Sequence, residues 1–299
     1  MLKFKRIMTI VALASAMTAC AGSGDKAQAN APTTTANNKQ AQTEKKMSNT
    51  TDKYVEIKTT EGNITVRLYG DTPGHQANFL KLVREGQYNN TLFHRVINEF
   101  MIQAGDPDSK NAKPGQQLGA GDVGYTLPAE IVYPRHYHKR GALAAARQGD
   151  QVNPERRSSG CQFYIVTGKK YGEAELRQML SQPDMAAMQA EFKRLAQAHM
   201  AEIQQMQAAG DGAGLQKLQN ELIAQVEAKF AGDKPEVDPQ VLKDYIELGG
   251  TPFLDKQYTV FGEVVKGMDV VEKIEKAQTD GADRPVKDIR IISAKEVKL

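Results

Sequence analysis

Residues 93–106 are the most informative segment of this 299-residue chain, and they read Phe93-His94-Arg95-Val96-Ile97-Asn98-Glu99-Phe100-Met101-Ile102-Gln103-Ala104-Gly105-Asp106. Short apolar runs surround one arginine, Arg95, and a glycine precedes the final aspartate. Judged alone, Arg95 is typical of a surface ion pair, whereas Phe100 and Met101 are typical of a protein core. The rest of the chain decides between these interpretations and a functional role.

Short strands are predicted around this segment. Residues 54–59 and 64–69 alternate apolar and polar side chains, and the Glu61-Gly62-Asn63 turn between them predicts a hairpin. Thr72-Pro73 then predicts an N-cap followed by proline at the first helical position. Short apolar runs with glycine and proline between them continue beyond that helix and return near the C-terminus. We therefore expect a mainly β fold, a closed β-barrel with flanking helices.

Residues 169–249 differ in composition, because glutamine, alanine, glutamate and methionine dominate and strand patterns disappear. Apolar residues recur at helical spacing in two stretches separated by Gly210-Asp211-Gly212, and Asp238-Pro239 predicts the cap of a further short helix. We expect an inserted α-helical hairpin. Its methionines either form the seam between two antiparallel helices, which the spacing favours, or present an adaptable surface for apolar partners.

Residues 1–19 have the layout of a signal peptide for export. Three basic residues precede an apolar run that is too short to span a bilayer, which takes about 20 apolar residues. Small residues then lead to Cys20, an ending that resembles the bacterial lipobox, where the cysteine receives a lipid. Met17 stands where that motif usually has leucine, and the alternative is an ordinary signal cleaved after Ala19. The resemblance favours lipidation of Cys20.

Residues 20–52 contain almost nothing to bury, which predicts a lipidated, disordered tether with a span of about 30 Å. We expect a cell-envelope lipoprotein that faces the periplasm and is anchored to a membrane by its lipid. Ala21 after the cysteine favours the outer membrane over the inner, by resemblance to known sorting signals. The formal charge of the whole chain is +3, and the signal carries three basic residues. The mature chain is thus nearly neutral, which excludes a basic surface for nucleic acid.

The segment 93–106 resembles the active-site signature of cyclophilins, which are peptidyl-prolyl cis/trans isomerases. Three further segments match the same family in the same order along the chain: Asn78-Phe79, residues 159–165 and Val260-Phe261-Gly262. The matches cover residues 53–168 and 250–299, about the size of one cyclophilin-like domain. The helical insert is not part of the basic family pattern.

The resemblance implies a role for each matching residue. Arg95 would be the catalytic guanidinium, assisted by Phe100 and Gln103. The residues that would bind the peptide and its proline ring are Met101, Ala146, Arg147, Gln162, Tyr164, Phe253, Leu254 and Tyr258.

Four of these positions depart from the family pattern. Tyr164 replaces a phenylalanine, and Arg147 replaces an asparagine. Phe253 stands where many relatives have tryptophan, and Tyr258 stands where they have histidine. The missing indole donor at position 253 argues against tight binding of cyclosporin.

The implied activity is rotation of X-Pro bonds in unfolded or partly folded exported polypeptides, and it requires no metal and no cofactor. The alternative is a non-catalytic peptide-binding chaperone that uses the helical insert. Other motifs are assigned structural roles. With Cys20 lipidated, Cys161 has no disulfide partner and is interpreted as a small core residue. Residues 119–124 fit a dinucleotide-binding string, but neither the strand nor the helix of that motif is predicted beside it. His136 and His138 lack a metal-ligand framework and are expected in a loop or strand.

Overall fold

A computed structural model describes residues 51–181, 185–232 and 236–299. Among these residues the chain forms two units, one made of residues 181–236 and the other of the remaining described residues. The predicted signal, Cys20 and all of the predicted tether before residue 51 lie outside the described residues. No described helix is both long enough and apolar enough to cross a bilayer.

The larger unit contains an eight-stranded, curled antiparallel sheet with the strand order β10-β1-β2-β9-β6-β8-β4-β3. A short pair, β5 and β7, stands apart from it. The strands are β1 Lys53–Thr59, β2 Gly62–Leu68, β3 Arg95–Ile97, β4 Met101–Ala104, β5 Thr126–Leu127, β6 Ala142–Ala145, β7 Ser158–Ser159, β8 Phe163–Val166, β9 Val260–Lys266 and β10 Ile291–Val297. The predicted hairpin is confirmed as β1 and β2, which pair in register from Lys53–Leu68 to Thr59–Gly62.

Seven α-helices accompany the strands in the described residues: α1 Pro73–Arg84, α2 Glu173–Leu180, α3 Met185–Ala198, α4 Met200–Ala208, α5 Gly212–Phe230, α6 Pro239–Glu247 and α7 Met268–Glu275. Two short 3₁₀ helices span Pro107–Asn111 and Pro252–Leu254. The mainly β architecture of the larger unit is confirmed, and its antiparallel pairing fits strands that are short and glycine-punctuated.

The end strands of the sheet, β10 and β3, are not paired with each other in the described residues. Backbone hydrogen bonds join the segments around these two strands instead. Phe93 donates its N–H to the carbonyl of Ile289 at 2.9 Å, and Val96 donates to the carbonyl of Asp283 at 2.8 Å. The strand order alone does not close on itself, so the closed barrel stays a prediction.

The period-two alternation of the strands separates an inner core from an outer apolar layer. In β8, Phe163 and Ile165 join the inner core, which α1 and α7 complete, whereas Tyr164 and Val166 join the outer layer. Burying the inner set removes many large side chains from water, which is the main stabilising contribution to such a fold. The outer layer is the surface from which the site described below is built.

Helix α1 is capped differently from the sequence-based expectation. Thr72 occupies the N-cap position and Pro73 the first helical position, but the Thr72 side chain makes no capping bond and donates to the carbonyl of Tyr69. Glu130 provides the cap from a distant loop, because its carboxylate accepts the N–H groups of Gly74 at 3.0 Å and His75 at 2.9 Å. A carboxylate at a helix N-terminus is favoured by both hydrogen bonding and the helix dipole.

Helices α2 and α6 lie within the segment predicted as the insert, yet they belong to the unit that contains the sheet. They share a small apolar cluster that includes Leu176, Val241 and Tyr245. The predicted cap of α6 is confirmed, since the Asp238 side chain accepts the N–H groups at positions 240 and 241.

The smaller unit contains α3, α4 and α5, three helices where two were expected. Their apolar faces form one core of Met188, Phe192, Ala196, Ile203, Leu218, Leu222, Ile223 and Val226. Asp211 separates α4 from α5 and accepts the N–H of Gly214 at 2.8 Å. For Met188 the location in this core supports the seam interpretation.

Candidate active site

Antiparallel register places three of the predicted residues in one row across the outer face of the sheet. Arg95 on β3 pairs with Gln103 on β4, and Gln103 pairs with Tyr164 on β8. Directly opposite residues in an antiparallel pair project from the same face. The row therefore brings a cation, an amide and an aromatic ring together although they lie far apart along the chain.

A cavity of about 460 Å³ opens over this row. Nine of the eleven residues predicted for catalysis or binding line it: Arg95, Phe100, Met101, Gln103, Ala146, Arg147, Tyr164, Leu254 and Tyr258. The sequence did not indicate the remaining wall, which includes residues 115–119 and the side chains of His94, Asp280 and Arg284. The volume is within the range of small-ligand sites, which start at about 300 Å³.

The Arg95 guanidinium lies at the cavity and is only lightly engaged. Its Nε is 3.5 Å from a carboxylate oxygen of Asp283, both side chains are partly exposed, and its Cζ lies 5.9 Å from the ring centre of Phe100. Within the described residues its terminal nitrogens have no hydrogen-bond partner. Such a long, exposed ion pair contributes little stability, so the guanidinium donors can turn to a ligand at small cost.

Gln103 and Gln162 form one amide pair at the edge of the cavity. Gln103 donates from Nε2 to Oε1 of Gln162 at 2.9 Å. Gln162 in turn donates to the carbonyls of Gly119 and Gly121 at 3.0 and 2.8 Å. The Gln162 side chain does not line the cavity, and its contacts hold the residue 119–121 loop and orient Gln103.

The Arg147 side chain is not directed at the cavity as a free cation. Only 3% of it is exposed, its Nε donates to the carbonyl of Gln257 at 2.9 Å, and its Nη1 meets Asp150 at 2.6 Å. Its guanidinium also lies 4.4 Å from the ring centre of Tyr258, a cation–π distance. Arg147 therefore fixes the rim of the cavity, and a bound peptide could contact only its backbone and the aliphatic part of its side chain.

Ala146 lines the cavity with its backbone already engaged. Its N–H donates to the carbonyl of Gln162 at 3.0 Å, and its carbonyl accepts from the N–H of Ser159 at 2.8 Å. A carbonyl oxygen has a second lone pair, so Ala146 can still accept one bond from a ligand.

Phe253 stands outside the cavity wall, in contrast with Leu254. Its side chain is 49% exposed and stacks on Phe100 with ring centres 5.7 Å apart. Both residues belong to the 3₁₀ turn Pro252–Leu254, and the turn therefore gives the rim one inward apolar residue and one outward aromatic ring. A bound peptide that extends past the cavity would meet that ring.

Tyr164 forms the floor of the cavity, and its hydroxyl points into the protein. The hydroxyl lies 3.0 Å from Nε2 of His138, which is 1% exposed. Burial raises the pKa of Tyr164 well above its usual range, so the hydroxyl stays protonated and the floor of the cavity carries no charge.

Two other titratable groups near the site are held neutral by burial. Burial raises the pKa of the Cys161 thiol to about 11, although a hydrogen bond with Ser159 opposes the change. Burial lowers the pKa of His94 from its usual value, with Asp106 opposing the change. Both directions favour the uncharged form at neutral pH. Neither group therefore adds a charge beside the Arg95 guanidinium.

A family model described as cyclophilin type peptidyl-prolyl cis-trans isomerase/CLD matches residues 54–182 and 232–296. A Staphylococcus saprophyticus protein named as a peptidyl-prolyl cis-trans isomerase is 28% identical over 242 residues, which are 80% of this chain and 89% of that protein. A Streptococcus pyogenes protein named as a bifunctional phosphatase/peptidyl-prolyl cis-trans isomerase is 30% identical over 250 residues, 82% of this chain and 39% of that one. A crystal structure of a Cryptosporidium parvum cyclophilin type isomerase aligns at 20% identity and a TM-score of 0.48, covering 83% of this chain and 99% of that one.

The chain belongs to the cyclophilin-type peptidyl-prolyl cis-trans isomerase family, because the family model spans most of it. The enzyme class predicted from residues 93–106 is thereby confirmed. The roles of the individual site residues remain predictions.

Proposed function

We propose that this enzyme rotates X-Pro bonds in the cavity over β3, β4 and β8, with Arg95 as the group that stabilises the transition state. The observation that carries the proposal is the position of Arg95. Its guanidinium lies beside the Phe100 ring, at a cavity lined by both apolar and polar residues, and its terminal nitrogens have no hydrogen-bond partner within the described residues.

The chemistry follows from the amide bond. Rotation about C–N meets a barrier of about 18–20 kcal/mol because the nitrogen lone pair is delocalised into the carbonyl. In the twisted transition state that lone pair returns to nitrogen, which then accepts a hydrogen bond far better than in the planar ground state. An arginine stays protonated and offers fixed donors for that bond. Stabilisation of the twisted state beyond the planar one is what accelerates the reaction.

The apolar side chains of the site would bind the proline ring. Met101 and Tyr164 are buried in the outer layer, and Phe100 and Leu254 pack against that layer. They exclude water from around the ring, which strengthens the electrostatic effect of the guanidinium. The Gln103 amide, oriented by Gln162, can bond to the peptide backbone next to the proline.

The test is turnover of a short proline peptide by the wild type, Arg95→Ala and a control, Arg84→Ala. Arg84 is an exposed arginine on α1 paired with Glu296. We expect kcat/KM to fall about a hundredfold in Arg95→Ala, the usual effect of removing one transition-state donor. Arg84→Ala should match the wild type. Equal rates for Arg95→Ala and the wild type would refute the role of Arg95.

We further propose that the substrates are proline-containing segments of exported proteins, because the sequence of residues 1–20 indicates a lipoprotein signal. The enzyme would face the periplasm from the outer membrane. Metabolic labelling with a radioactive fatty acid tests whether Cys20 carries the lipid anchor. Label that depends on Cys20 supports the anchor, whereas label that persists in Cys20→Ala refutes it.

We also propose that the unit of residues 181–236 is a helical insertion in a closed barrel domain. Its support is that the family model leaves residues 183–231 unmatched. An insertion that binds unfolded clients would suppress their aggregation in Arg95→Ala as well as in the wild type. If aggregation is suppressed by neither, the helical unit has no chaperone role.

A further inference from the structure

A chain of buried polar groups runs behind the floor of the cavity. The Tyr164 hydroxyl lies 3.0 Å from Nε2 of His138, and Nδ1 of His138 lies 2.9 Å from Oδ1 of Asp255. The other carboxylate oxygen of Asp255 accepts the hydroxyl of Tyr245 at 2.7 Å. All four side chains are at least nine-tenths buried. Such a chain is stabilising only when every member has a partner, and here each one has.

The directions of these hydrogen bonds are fixed by the carboxylate. Asp255 can only accept, so the His138 nitrogen that faces it carries a proton, and in the neutral ring Nε2 accepts the Tyr164 O–H. The backbone N–H of His138 also donates to Asp255 at 2.9 Å. The histidine is thus held at two points by one aspartate, which leaves little freedom for the tyrosine that it bonds.

Two members of this hydrogen-bonded chain, Tyr164 and Asp255, connect it to different parts of the site. Tyr164 is the floor, and Asp255 follows directly on the Pro252–Leu254 turn that carries the rim. Tyr245 lies on α6, so the chain also reaches a helix that is remote from the cavity. The ring of Tyr258, another wall residue, contacts both His138 and Tyr164 edge-on, at 6.3 and 6.0 Å between ring centres.

We propose that His138 and Asp255 are positioning residues of the isomerase: through Tyr164 and the Pro252–Leu254 turn they hold the floor and the rim of the proline cavity at the separation that fits a proline ring. This inference rests on the proposed function of the cavity. A phenylalanine floor is held by packing alone. In this protein the hydrogen bond between Tyr164 and His138 fixes the Tyr164 ring, so the fit of the cavity depends on a histidine that never contacts substrate.

The arrangement resembles a hydroxyl–histidine–carboxylate triad, but its role is not acid–base catalysis. The Tyr164 hydroxyl points away from the cavity and His138 is 1% exposed, so neither can reach a peptide. Breaking this chain of hydrogen bonds should therefore weaken binding of the proline peptide and leave the rotation step at Arg95 intact.

The experiment measures kcat and KM for a proline tetrapeptide in Tyr164→Phe, His138→Gln, the double variant and Arg95→Ala. The matched control is His136→Gln. His136 is two residues from His138 and is likewise bonded to an aspartate, Asp71, but it stacks on Tyr69 beside a different cavity.

We expect KM to rise about fivefold in Tyr164→Phe and in His138→Gln, the effect of one hydrogen bond, with kcat within about twofold of the wild type. The double variant should be no worse than the poorer single variant, because both changes remove the same bond. His136→Gln should keep the wild-type KM.

Additive effects, or a melting temperature that falls while KM stays unchanged, would overturn the positioning role. If His138→Gln does not fold, Tyr164→Phe decides alone, since it removes one oxygen atom, and a wild-type KM there overturns the proposal. Arg95→Ala separates the two hypotheses. If it retains full turnover, the proposed function fails, whereas if it loses turnover while the His138 and Tyr164 variants do not raise KM, only the positioning role fails.

Discussion

Gly105 is the position where one methyl group should damage the site most. It follows β4 directly and has a φ of +94°, in the range that L residues avoid. A Cβ there would overlap the carbonyl oxygen of Cys161 and lie 3.2 Å from the Cα of Gln162. The atoms that it meets are backbone, so they cannot rotate away as a side chain would. The substitution Gly105→Ala must push β4 and the residue 161–162 segment apart.

The expected loss of unfolding free energy has two parts, backbone strain and overpacking, and two further glycines serve as controls that separate them. Gly115 has a φ of +76° and nothing within 4 Å of its Cβ position, so Gly115→Ala measures the backbone strain alone, about 1–2 kcal/mol. Gly149 has open space and no positive φ, so Gly149→Ala should be close to neutral. Gly105→Ala adds overpacking of about 1–3 kcal/mol to the strain and should lose about 2–5 kcal/mol in all.

The assay is the free energy of unfolding in urea, followed by circular dichroism, for the three variants and the wild type. The expected order of stability is Gly149→Ala, then Gly115→Ala, then Gly105→Ala. Gly105→Ala should also lose peptide turnover, because Gln103 lies two residues away. Equal free energies of unfolding for Gly105→Ala and Gly115→Ala would contradict the close approach of the Cys161 carbonyl to Gly105. They would also contradict the pairing of β4 with β8 beneath the site.

Three further outcomes are expected. Burial would raise the pKa of Glu130, but bonds from His75 and Gly74 outweigh it and hold that pKa below its usual value. The bonds of the ionised Glu130 carboxylate therefore contribute their full stability above its unfolded-state pKa, and that contribution is lost as the pH falls through the lowered pKa. The loss of unfolding free energy on acidification should thus be shallower in Glu130→Gln. Cys161, with a pKa of about 11, should react with a thiol reagent only after unfolding, and rapid labelling of the native protein would contradict its burial. Arg284→Met removes the hydrogen bonds from a buried guanidinium to the carbonyls of residues 113 and 116 and to Asp288. We expect the free energy of unfolding in urea to fall by about 2–3 kcal/mol and KM to rise. An unchanged KM would show that the residue 113–119 loop is not part of the peptide site.

The parts of the site that could be predicted are those with a local pattern. Residues 163–166 are a continuous apolar run, which is typical of a buried strand, and the strand period of two then sends alternate side chains to the core and to the site. Residues 93–106 carry the family signature, so the order Arg95, Phe100, Met101, Gln103 was enough to place one wall. Each signal lies within one short segment, where backbone geometry fixes the spacing.

The parts that could not be predicted depend on contacts between distant residues. Glu130 caps α1 from 56 residues away, so Thr72 gave a correct helix start but an incorrect capping group. His138 reaches Tyr164 across 26 residues and Asp255 across 117, and no local pattern distinguishes it from His136. Long-range partners of this kind are set by how strands are ordered in the sheet, which the local pattern leaves open.

The three arginines at the cavity show why this matters for function. The sequence distinguishes Arg95 by its place in the signature segment, but nothing local shows which of Arg95, Arg147 and Arg284 keeps its guanidinium free. In the structure Arg284 bonds two carbonyls and an aspartate, and Arg147 bonds a carbonyl and an aspartate while covering an aromatic ring. A donor already engaged in a buried network must lose those bonds before it can help a substrate, and that loss costs more than the new bond returns. Arg95 has only the long contact with Asp283 to give up, which makes it the one of the three that can stabilise a rotating amide.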